Sequence, residues 1–516
     1  MIESVPVRLS DLFAGVEGWR VVGAADPGIT TLSYRSDQVV PGALFFCVAG
    51  FARDGHDFAS DAVARGAAAL CVERQLDLPV TQVVVRSVRR AMGLVAATFY
   101  GRPSSKLLTV GITGTNGKTT SAFLAAHLLD MAGLRAGLMG TVERRIGGRV
   151  LPAGRTTPEA LDVQHDLAQM VEAGDRAAVM EVSSHALDLG RALGIEFDVV
   201  AFTNLTQDHL DYHKTLEDYF GAKCRLFLDP DFAREQTCAV INVDDPFGLQ
   251  LAKMSVRDRV ISCAVSGSVP GWGTADLEWS DYQIDQSGTR GTLVVRGSAA
   301  KRVTGPADEG HIRLEIATRL MGSFNVANTL TALGIGLSLG LDLERMLAAL
   351  RGFRGVPGRM ETVDAGQDFA VLVDYAHTPD SVRNVVETAR DFSGGRLISV
   401  LGCGGDRDRG KRPLMGREAE KVSDIVIVTS DNPRTEDPLA IIADITAGLE
   451  SPHAAIVQPD RRLAIGAAVS AARAGDVVLI LGKGHESGQE FAEGTVPFDD
   501  REVAREALLA LRGSRR

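Results

Sequence analysis

A run of seven residues, Gly114-Thr115-Asn116-Gly117-Lys118-Thr119-Thr120, holds the residue types that grip the phosphates of a nucleoside triphosphate. Its glycines let backbone N–H groups crowd around phosphate oxygens, Lys118 supplies a mobile positive charge, and Thr119 sets a hydroxyl where Mg²⁺ would sit. The strict P-loop spacing is not kept, because Ile112 stands where the first glycine of that pattern belongs. A plain glycine-rich turn between strand and helix is the alternative.

Farther along, Glu181-Val182-Ser183-Ser184-His185 closes an apolar run, the place where open α/β sheets gather ligands. The Glu181 carboxylate could take a magnesium there. A helix N-terminal turn needs the same residue types, with Ser183 or Ser184 capping and Glu181 complementing the dipole. The stretch Thr203 to His213 packs two histidines and two aspartates together. On a helix His209 and His213 would share a face, and a neutral imidazole there could ligate a cation; a polar surface turn is the alternative. Lys223, in Ala222-Lys223-Cys224-Arg225, reads without context as a solvated or snorkelling side chain.

Two further motifs point at the nucleotide. Asn325 and Asn328 precede a helix-like run and could contact it or cap the helix, and Arg359 follows a glycine-rich hinge. From there Arg359 could reach a γ-phosphate or pair with Glu361. Asp374 and His377, after another strand-like run, could meet the base or ribose, or form a turn. Past these lie three charged loops, Gly402 to Pro413, Asp431-Asn432-Pro433-Arg434 and Gly482-Lys483-Gly484-His485-Glu486. Each follows a predicted strand. Together they would make a pocket for a small zwitterion, with Arg407 and Arg434 for carboxylates and Glu486 for an ammonium. Taken singly, each could be a solvated loop.

The elements that must position these groups follow from pattern. Strand-like runs Leu107 to Ile112, Ala177 to Glu181, Phe197 to Phe202 and Ala239 to Asn242 alternate with helical stretches such as Ser121 to Met131, which predicts a parallel sheet wrapped by helices. Between Asp258 and Glu315 short glycine-punctuated runs suggest an antiparallel excursion. A second doubly wound set has strands at Arg396 to Leu401, Ile425 to Thr429 and Val477 to Leu481. Ahead of all this, Gly42 to Gly50 reads as a buried strand and Asp57 to Gly66 as a helix. The expected fold is α/β with three domains: a small α/β domain over 1–105, a central P-loop-like parallel-sheet domain over 106–352, and a C-terminal doubly wound domain over 353–516.

With 55 basic and 66 acidic residues the net charge is −11, which argues against nucleic acid held by bulk electrostatics. The six cysteines are scattered without metal spacing and read as reduced thiols. No signal-like start and no membrane-length apolar run occur, so a cytoplasmic protein is expected.

These motifs, in this order, closely resemble the Mur ligase family, very specifically from Gly114 to Glu486 and more weakly before it. The resemblance implies an ADP-forming, ATP-dependent ligase that adds meso-2,6-diaminopimelate to UDP-N-acetylmuramoyl-L-alanyl-D-glutamate in cell-wall peptidoglycan synthesis. An L-lysine-adding relative and a folylpolyglutamate synthase-like ligase are the alternatives, and a nucleotide-binding scaffold without turnover is a third.

It further implies that Lys118, Glu181, His209, Lys223 and Arg359 are catalytic. Gly114 to Thr120, Asn325, Asn328, Arg359, Asp374 and His377 would bind ATP. Thr119, Glu181, His209 and Lys223, the last carbamylated by CO₂, would hold Mg²⁺. Ser36, Phe51, Ala52, Arg53, Thr156, Thr157, Ser184 and Arg191 would contact the UDP-sugar dipeptide. Arg407, Asp431, Asn432, Pro433, Arg434, Gly482 and Glu486 would hold diaminopimelate. Two departures from the family pattern fall on the UDP-sugar side: Arg35-Ser36-Asp37 stands where Asp-Ser-Arg is frequent, and Leu189 stands at a commonly polar place. A monomer acting without nucleic acid or membrane is expected.

Overall fold

The computed structural model describes residues 5–50, 53–255, 259–285, 287–304 and 311–514. It forms two compact units: residues 1–113, 133–200 and 222–238 make the first, and 114–132, 201–221 and 239–516 the second.

In the first unit a five-stranded sheet runs in the order Arg20–Val22, Thr81–Val84, Ala67–Val72, Ala43–Phe46, Thr31–Ser33. Only the Arg20–Val22 pairing is antiparallel. Ala43–Phe46 is buried at every residue, as a strand covered on both faces must be. Side chains alternate between two cores. Leu44 and Phe46 pack under Met92 and Val95 of the helix Val88–Phe99, and Phe45 and Cys47 pack toward Ala59 and Ala62. The helix expected from Asp57 to Gly66 is shorter: a 3₁₀ turn covers Gly55–Phe58 and the α-helix only Ala59–Ala64, because Asp54 caps ahead of it and accepts from the His56 N–H. The same unit carries parallel strands Leu108–Thr113, Ala177–Glu181 and Ala136–Met139, edged by the hairpin Glu143–Ile146 and Arg149–Pro152.

In the second unit the helix Lys118–Met131 packs on Ser323–Ser338 and Leu343–Gly352. Parallel strands Cys238–Asn242 and Val260–Ala264 lead into the meander Leu277–Asp285, Gly288–Val295, Ile312–Thr318, which is the expected antiparallel excursion. The last sheet is ordered Glu361–Thr362, Ala370–Asp374, Val477–Leu481, Leu397–Leu401, Ile425–Val428, Ile456–Val457. All its pairings are parallel except the first. Helices cover both faces, one core holding Leu372, Leu401 and Leu479 and the other Val371, Val400 and Ile480. The carboxyl ends of four neighbouring strands therefore lie side by side, at Asp374, Leu481, Leu401 and Val428, and the charged loops leave from that edge.

Candidate functional site

The phosphate loop is held by backbone shape. Gly114 has φ +148° and Gly117 φ +84°. A Cβ on Gly117 would come within 2.2 Å of Asn328 Oδ1, and one on Gly114 within 1.9 Å of Thr203 Oγ1, so both positions require glycine. Asn204 and Thr203 lock the turn. The Thr115 N–H donates to the Asn204 carbonyl at 2.8 Å, the Asn116 N–H to Asn204 Oδ1 at 2.9 Å, and the Thr203 hydroxyl to the Asn116 carbonyl at 2.6 Å.

Lys118 folds back onto its own loop, donating to the carbonyls of Gly114 and Thr115 at 2.9 and 2.8 Å. Arg359 reaches the loop as well. Its Nη2 donates to Thr119 Oγ1 at 3.3 Å, its guanidinium lies 4.6 Å from the Tyr375 ring centroid, and its Nε is buried with no hydrogen-bond partner among the described residues. An orphaned buried donor on a guanidinium beside a phosphate loop is what a phosphoryl group would satisfy. The alternative pairing with Glu361 does not occur, since that carboxylate accepts from the Gly358 N–H and faces Arg501.

A cavity of about 430 Å³ opens beside the loop, lined by Asn116, Gly117, Asn204, Phe324, Asn328 and Asp380 among others. It has the size and the apolar-plus-amide lining of a base and ribose site. Asn328 is held by Asn325 Oδ1 at 3.0 Å, and Asn325 by the Met321 carbonyl at 2.8 Å, so neither caps the helix. Phe324, Asn204 and Asp380 went unassigned in the sequence. Asn204 lies within the Thr203 to His213 stretch, while Phe324 and Asp380 stand next to or near the residues singled out there, Asn325 and His377, with no pattern to mark them.

Asp374 and His377, expected at the base or ribose, do not line this cavity. Asp374 is buried, with its oxygens accepting from the Met360 and Ala376 N–H groups at 2.8 and 2.7 Å. Burial pushes its carboxyl up, against the pull of Arg359. Its visible work is to pin the Arg359 hinge. The His377 Nδ1 lies 2.9 Å from the Tyr375 carbonyl and so carries the proton, which leaves Nε2 an acceptor.

His377 lines a second cavity of about 190 Å³, together with Asp208, His209, Arg407, Lys411, Asp431, Asn432, Arg434, Gly482 and Glu486. Burial, and then the nearby Lys411, push its imidazole down to about 4, so it is neutral. Burial alone would raise Asp208, but His209, His377 and Lys411 outweigh it and hold the carboxyl at about 2.

At the other wall a buried lysine gathers the loops. Lys483 Nζ donates to Asn432 Oδ1 at 2.8 Å and Glu486 Oε2 at 2.9 Å, and lies 3.6 Å from Asp431. Asn432 Nδ2 also donates to Glu486, at 2.8 Å. Lys483 was overlooked in the sequence because a lysine between two glycines reads as solvated. Arg434, at φ +53°, pairs with Glu490 at 2.6 Å and donates to the Gly405 carbonyl at 2.8 Å. The Pro433 carbonyl accepts from Glu436, and a Cβ on Gly405 would lie 1.9 Å from it, so the two loops touch backbone to backbone. Arg407 is exposed and donates to the Asp406 carbonyl.

His209 has φ +54° and stands ahead of the helix Leu210–His213, so it and His213 do not share a helical face. Its Nε2 lies 3.4 Å from Asp208.

The first unit holds the other set. Glu181 Oε1 accepts from the Thr141 N–H at 2.8 Å, and the Thr141 and Thr156 hydroxyls meet at 2.9 Å. The Thr157 hydroxyl donates to the Glu181 carbonyl at 2.8 Å and accepts from the Ser183 N–H at 3.1 Å. Ser183 caps the helix Ser184–Asp188, as the structural alternative supposed, while buried Ser184 is the first residue of that helix. Arg191 donates to the Thr157 carbonyl at 3.3 Å and pairs with Glu159 at 2.9 Å.

Lys223 lies within the helix Leu216–Leu228 and is only 1% exposed, so the solvated reading fails. Ser36 begins a 3₁₀ turn flanked by the 2.8 Å Arg35–Asp37 pair, and Arg53 is exposed. Phe51 and Ala52 lie outside the described residues. Among the described residues no three His, Cys, Asp or Glu side chains form a metal cage.

Three family models match the chain: the Mur ligase family catalytic domain over 28–100, the Mur ligase middle domain over 112–336, and the Mur ligase glutamate ligase domain over 358–484. The UDP-N-acetylmuramoyl-L-alanyl-D-glutamate--2,6-diaminopimelate ligase of Geobacillus thermodenitrificans is 45% identical over 97% of this chain and 99% of its own. The protein of that name from Thermosynechococcus vestitus is 46% identical, covering 94% of each. A solved structure of a ligase so named superposes at a TM-score of 0.67, with 33% identity over 98% of this chain and 100% of that one. Mycobacterium tuberculosis folylpolyglutamate synthase, complexed with ADP and AMPPCP, shares the fold at 21% identity and a TM-score of 0.58, over 76% of this chain and 92% of its own.

Proposed function

The chain belongs to the Mur ligase family, an α/β ligase of three domains, and from that premise we propose that it joins meso-2,6-diaminopimelate to UDP-N-acetylmuramoyl-L-alanyl-D-glutamate with conversion of ATP to ADP and phosphate. The observation that carries this reading is the pair of cavities in the second unit, one beside the phosphate loop and one lined by Arg407, Arg434, Asp431 and Glu486. We assign residues 1–105 to UDP-sugar binding, 106–352 to ATP and 353–516 to the amino acid. Among the described residues no helix is long and apolar enough to cross a membrane. A monomer working in the cytoplasm is our reading.

In the reaction, the γ-carboxylate of the glutamyl end attacks the γ-phosphorus of ATP, the bond to ADP breaks, and an acyl phosphate forms. The diaminopimelate amine then attacks the acyl carbon and phosphate leaves. Two anions meet in the first step, so the residues serve by cancelling charge. Lys118 is oriented by its own loop, and Arg359 is pinned by Asp374 through Met360 and placed against Thr119. Thr119, Glu181, His209 and a carbamylated Lys223 would hold Mg²⁺, which supplies further charge neutralisation when bound.

The acceptor pocket selects by charge. Diaminopimelate differs from lysine by one carboxylate at its far end, for which Arg434 and Arg407 are the cationic partners. Because Arg434 keeps Glu490 as a partner, lysine does not strand a bare buried charge. The preference is therefore expected at the low end of the range of about 2–5 kcal/mol for truncating one side of a buried charge pair. Phosphate release measured with meso-diaminopimelate, L-lysine and L-ornithine tests this. Turnover of diaminopimelate at least about tenfold above the others, diminished in Arg434→Ala, is the expected result. Comparable turnover of lysine, or turnover with folate plus glutamate, would overturn it.

A further inference from the structure

Two of the loops that line the acceptor pocket leave from strands that are not neighbours. Ile425–Val428 and Val477–Leu481 have Leu397–Leu401 between them, so within the sheet they lie about 10 Å apart. Their loops nevertheless meet: a Cβ on Gly482 would come within 2.4 Å of an Asp431 carboxylate oxygen. Ladder hydrogen bonds cannot set that approach, because the loops begin where the ladders stop.

One side chain spans the gap from behind. Arg461, the first residue of the helix Arg461–Ala471, donates from Nη1 to the Ser430 carbonyl at 3.3 Å and from Nη2 to the Leu481 carbonyl at 2.9 Å. Those carbonyls belong to the residues directly ahead of Asp431 and Gly482, both of which line the pocket. Asp500, the first residue of the helix Asp500–Ser514, takes the rest of the fork, its two oxygens accepting from Nε and Nη2 at 2.7 Å each. Both side chains are fully buried. Burial pulls the guanidinium down, but Asp500, and then Asp431 and Glu486, outweigh it, so the group stays charged and lies in the field of both pocket acids.

Stability alone does not call for such a pair. Taking a guanidinium and a carboxylate out of water offsets much of their attraction, and apolar side chains of similar volume often serve a core as well. What apolar groups cannot supply is a rigid fork of donors that holds two carbonyls at a fixed separation. Gln489 adds a second hold on one of the loops, donating to the Ser430 hydroxyl at 3.0 Å and the Asp431 carbonyl at 2.6 Å. Arg461 differs in fixing one loop against the other.

We propose that Arg461, oriented by Asp500, is a positioning residue that sets the separation of the Asp431 and Gly482 loops and thereby the fit of the incoming amino acid. It touches no reacting atom. The inference rests on the proposed function for the identity of that amino acid, and on the geometry for the rest.

The test compares steady-state constants and Tm for the unmodified protein, for Arg461→Lys, and for the double variant Arg461→Met with Asp500→Val. Lysine keeps a charge for Asp500 but offers a single ammonium in place of the fork, so it cannot hold both carbonyls. The double variant replaces the pair by apolar groups and strands no charge. In both, KM for meso-diaminopimelate is expected to rise about tenfold or more, with kcat and KM for ATP within about twofold, because charge-assisted hydrogen bonds to the two loops are lost. Tm of the double variant is expected to stay near that of the unmodified protein. An unchanged KM in a folded variant, equal changes in all three constants, or failure of both variants to fold would overturn the proposal and leave the pair as a support of the fold. If the unmodified protein turns over L-lysine but not diaminopimelate, the proposed substrate falls, and KM for L-lysine in the same variants decides the positioning role.

Discussion

Lys223 is the residue whose chemistry is most constrained by where it sits. A lysine that cannot reach water normally gives up its charge or finds a partner, and here the side chain is buried within the helix Leu216–Leu228. The carbamylation we propose for it would convert it to an anion that can serve a metal. We expect Lys223→Ala to abolish nearly all turnover, with part of it restored by added formate or acetate; full activity in that variant would rule the carbamate out. Lys483 invites a different experiment. It is buried and bonded to Asn432 and Glu486, so it orders the acceptor pocket without facing the reacting atoms. Lys483→Met is expected to raise KM for diaminopimelate by about tenfold or more, leaving kcat and KM for ATP nearly unchanged, since hydrogen bonds to charged groups are worth about 1.5–3 kcal/mol. Equal changes in all three constants would mean that the lysine supports the fold alone.

The elements carry the second level of control, because the loops are shaped by what packs behind them. Gly117 combines φ +84° with an Asn328 oxygen 2.2 Å from any added Cβ, so Gly117→Ala must strain the loop and push aside the Asn328 side chain, which Asn325 holds on the helix Ser323–Ser338. We expect the variant to lose ATP binding by more than tenfold and to be less stable by about 1–3 kcal/mol, measured by nucleotide titration and urea unfolding. Wild-type affinity would show that the loop is not fixed by this contact. Elements of this kind were largely readable in the chain. Strands Ala177–Glu181 and Val477–Leu481 fall on the residues that apolar runs indicate, since strands buried on both faces spell themselves out. That Gly114 to Thr120, Gly402 to Pro413, Asp431 to Arg434 and Gly482 to Glu486 leave from strand ends was legible for a related reason, being clustered polar residues directly after such strands. What could not be read was partner choice. That Arg434 turns to Glu490, that Lys483 is internal, and that Asp374 serves the backbone of Met360 depend on residues 14 to 56 positions away. Local pattern says nothing about contacts at that range. His377 is a like case: it lines the smaller cavity, with its ring held by the Tyr375 carbonyl, and its motif alone does not say so.

Taken as a whole, the chain has an acid-sensitive balance that follows from its titrating groups. Burial and Lys411 keep His377 near 4, below the ordinary value of about 6.5 for an unfolded chain. Between those values the unfolded chain binds a proton that the folded one does not, so stability rises with pH and is lost on acidification. A second loss follows at lower pH. Glu436, bonded to Arg412, is held at about 2, and so are Asp54, bonded to His56, and Asp208. These carboxyls contribute fully above about 4 and lose their contribution as pH falls toward 2. Buried Asp166, Asp245 and Asp374 act in the opposite sense, because their carboxyls are raised by burial and favour the folded state as they protonate. The total slope is thus a difference of opposing contributions, and a single substitution separates one of them. His377→Gln removes the histidine while keeping an amide that can still donate to the Tyr375 carbonyl. A plot of Tm against pH is expected to fall less steeply for this variant than for the unmodified protein between about 6.5 and 4; below about 4 the two curves differ again, because His377 also helps hold Asp208 down. Parallel curves through the upper window would mean that His377 titrates alike in both states, and the neutral imidazole inferred for the acceptor cavity would have to be abandoned.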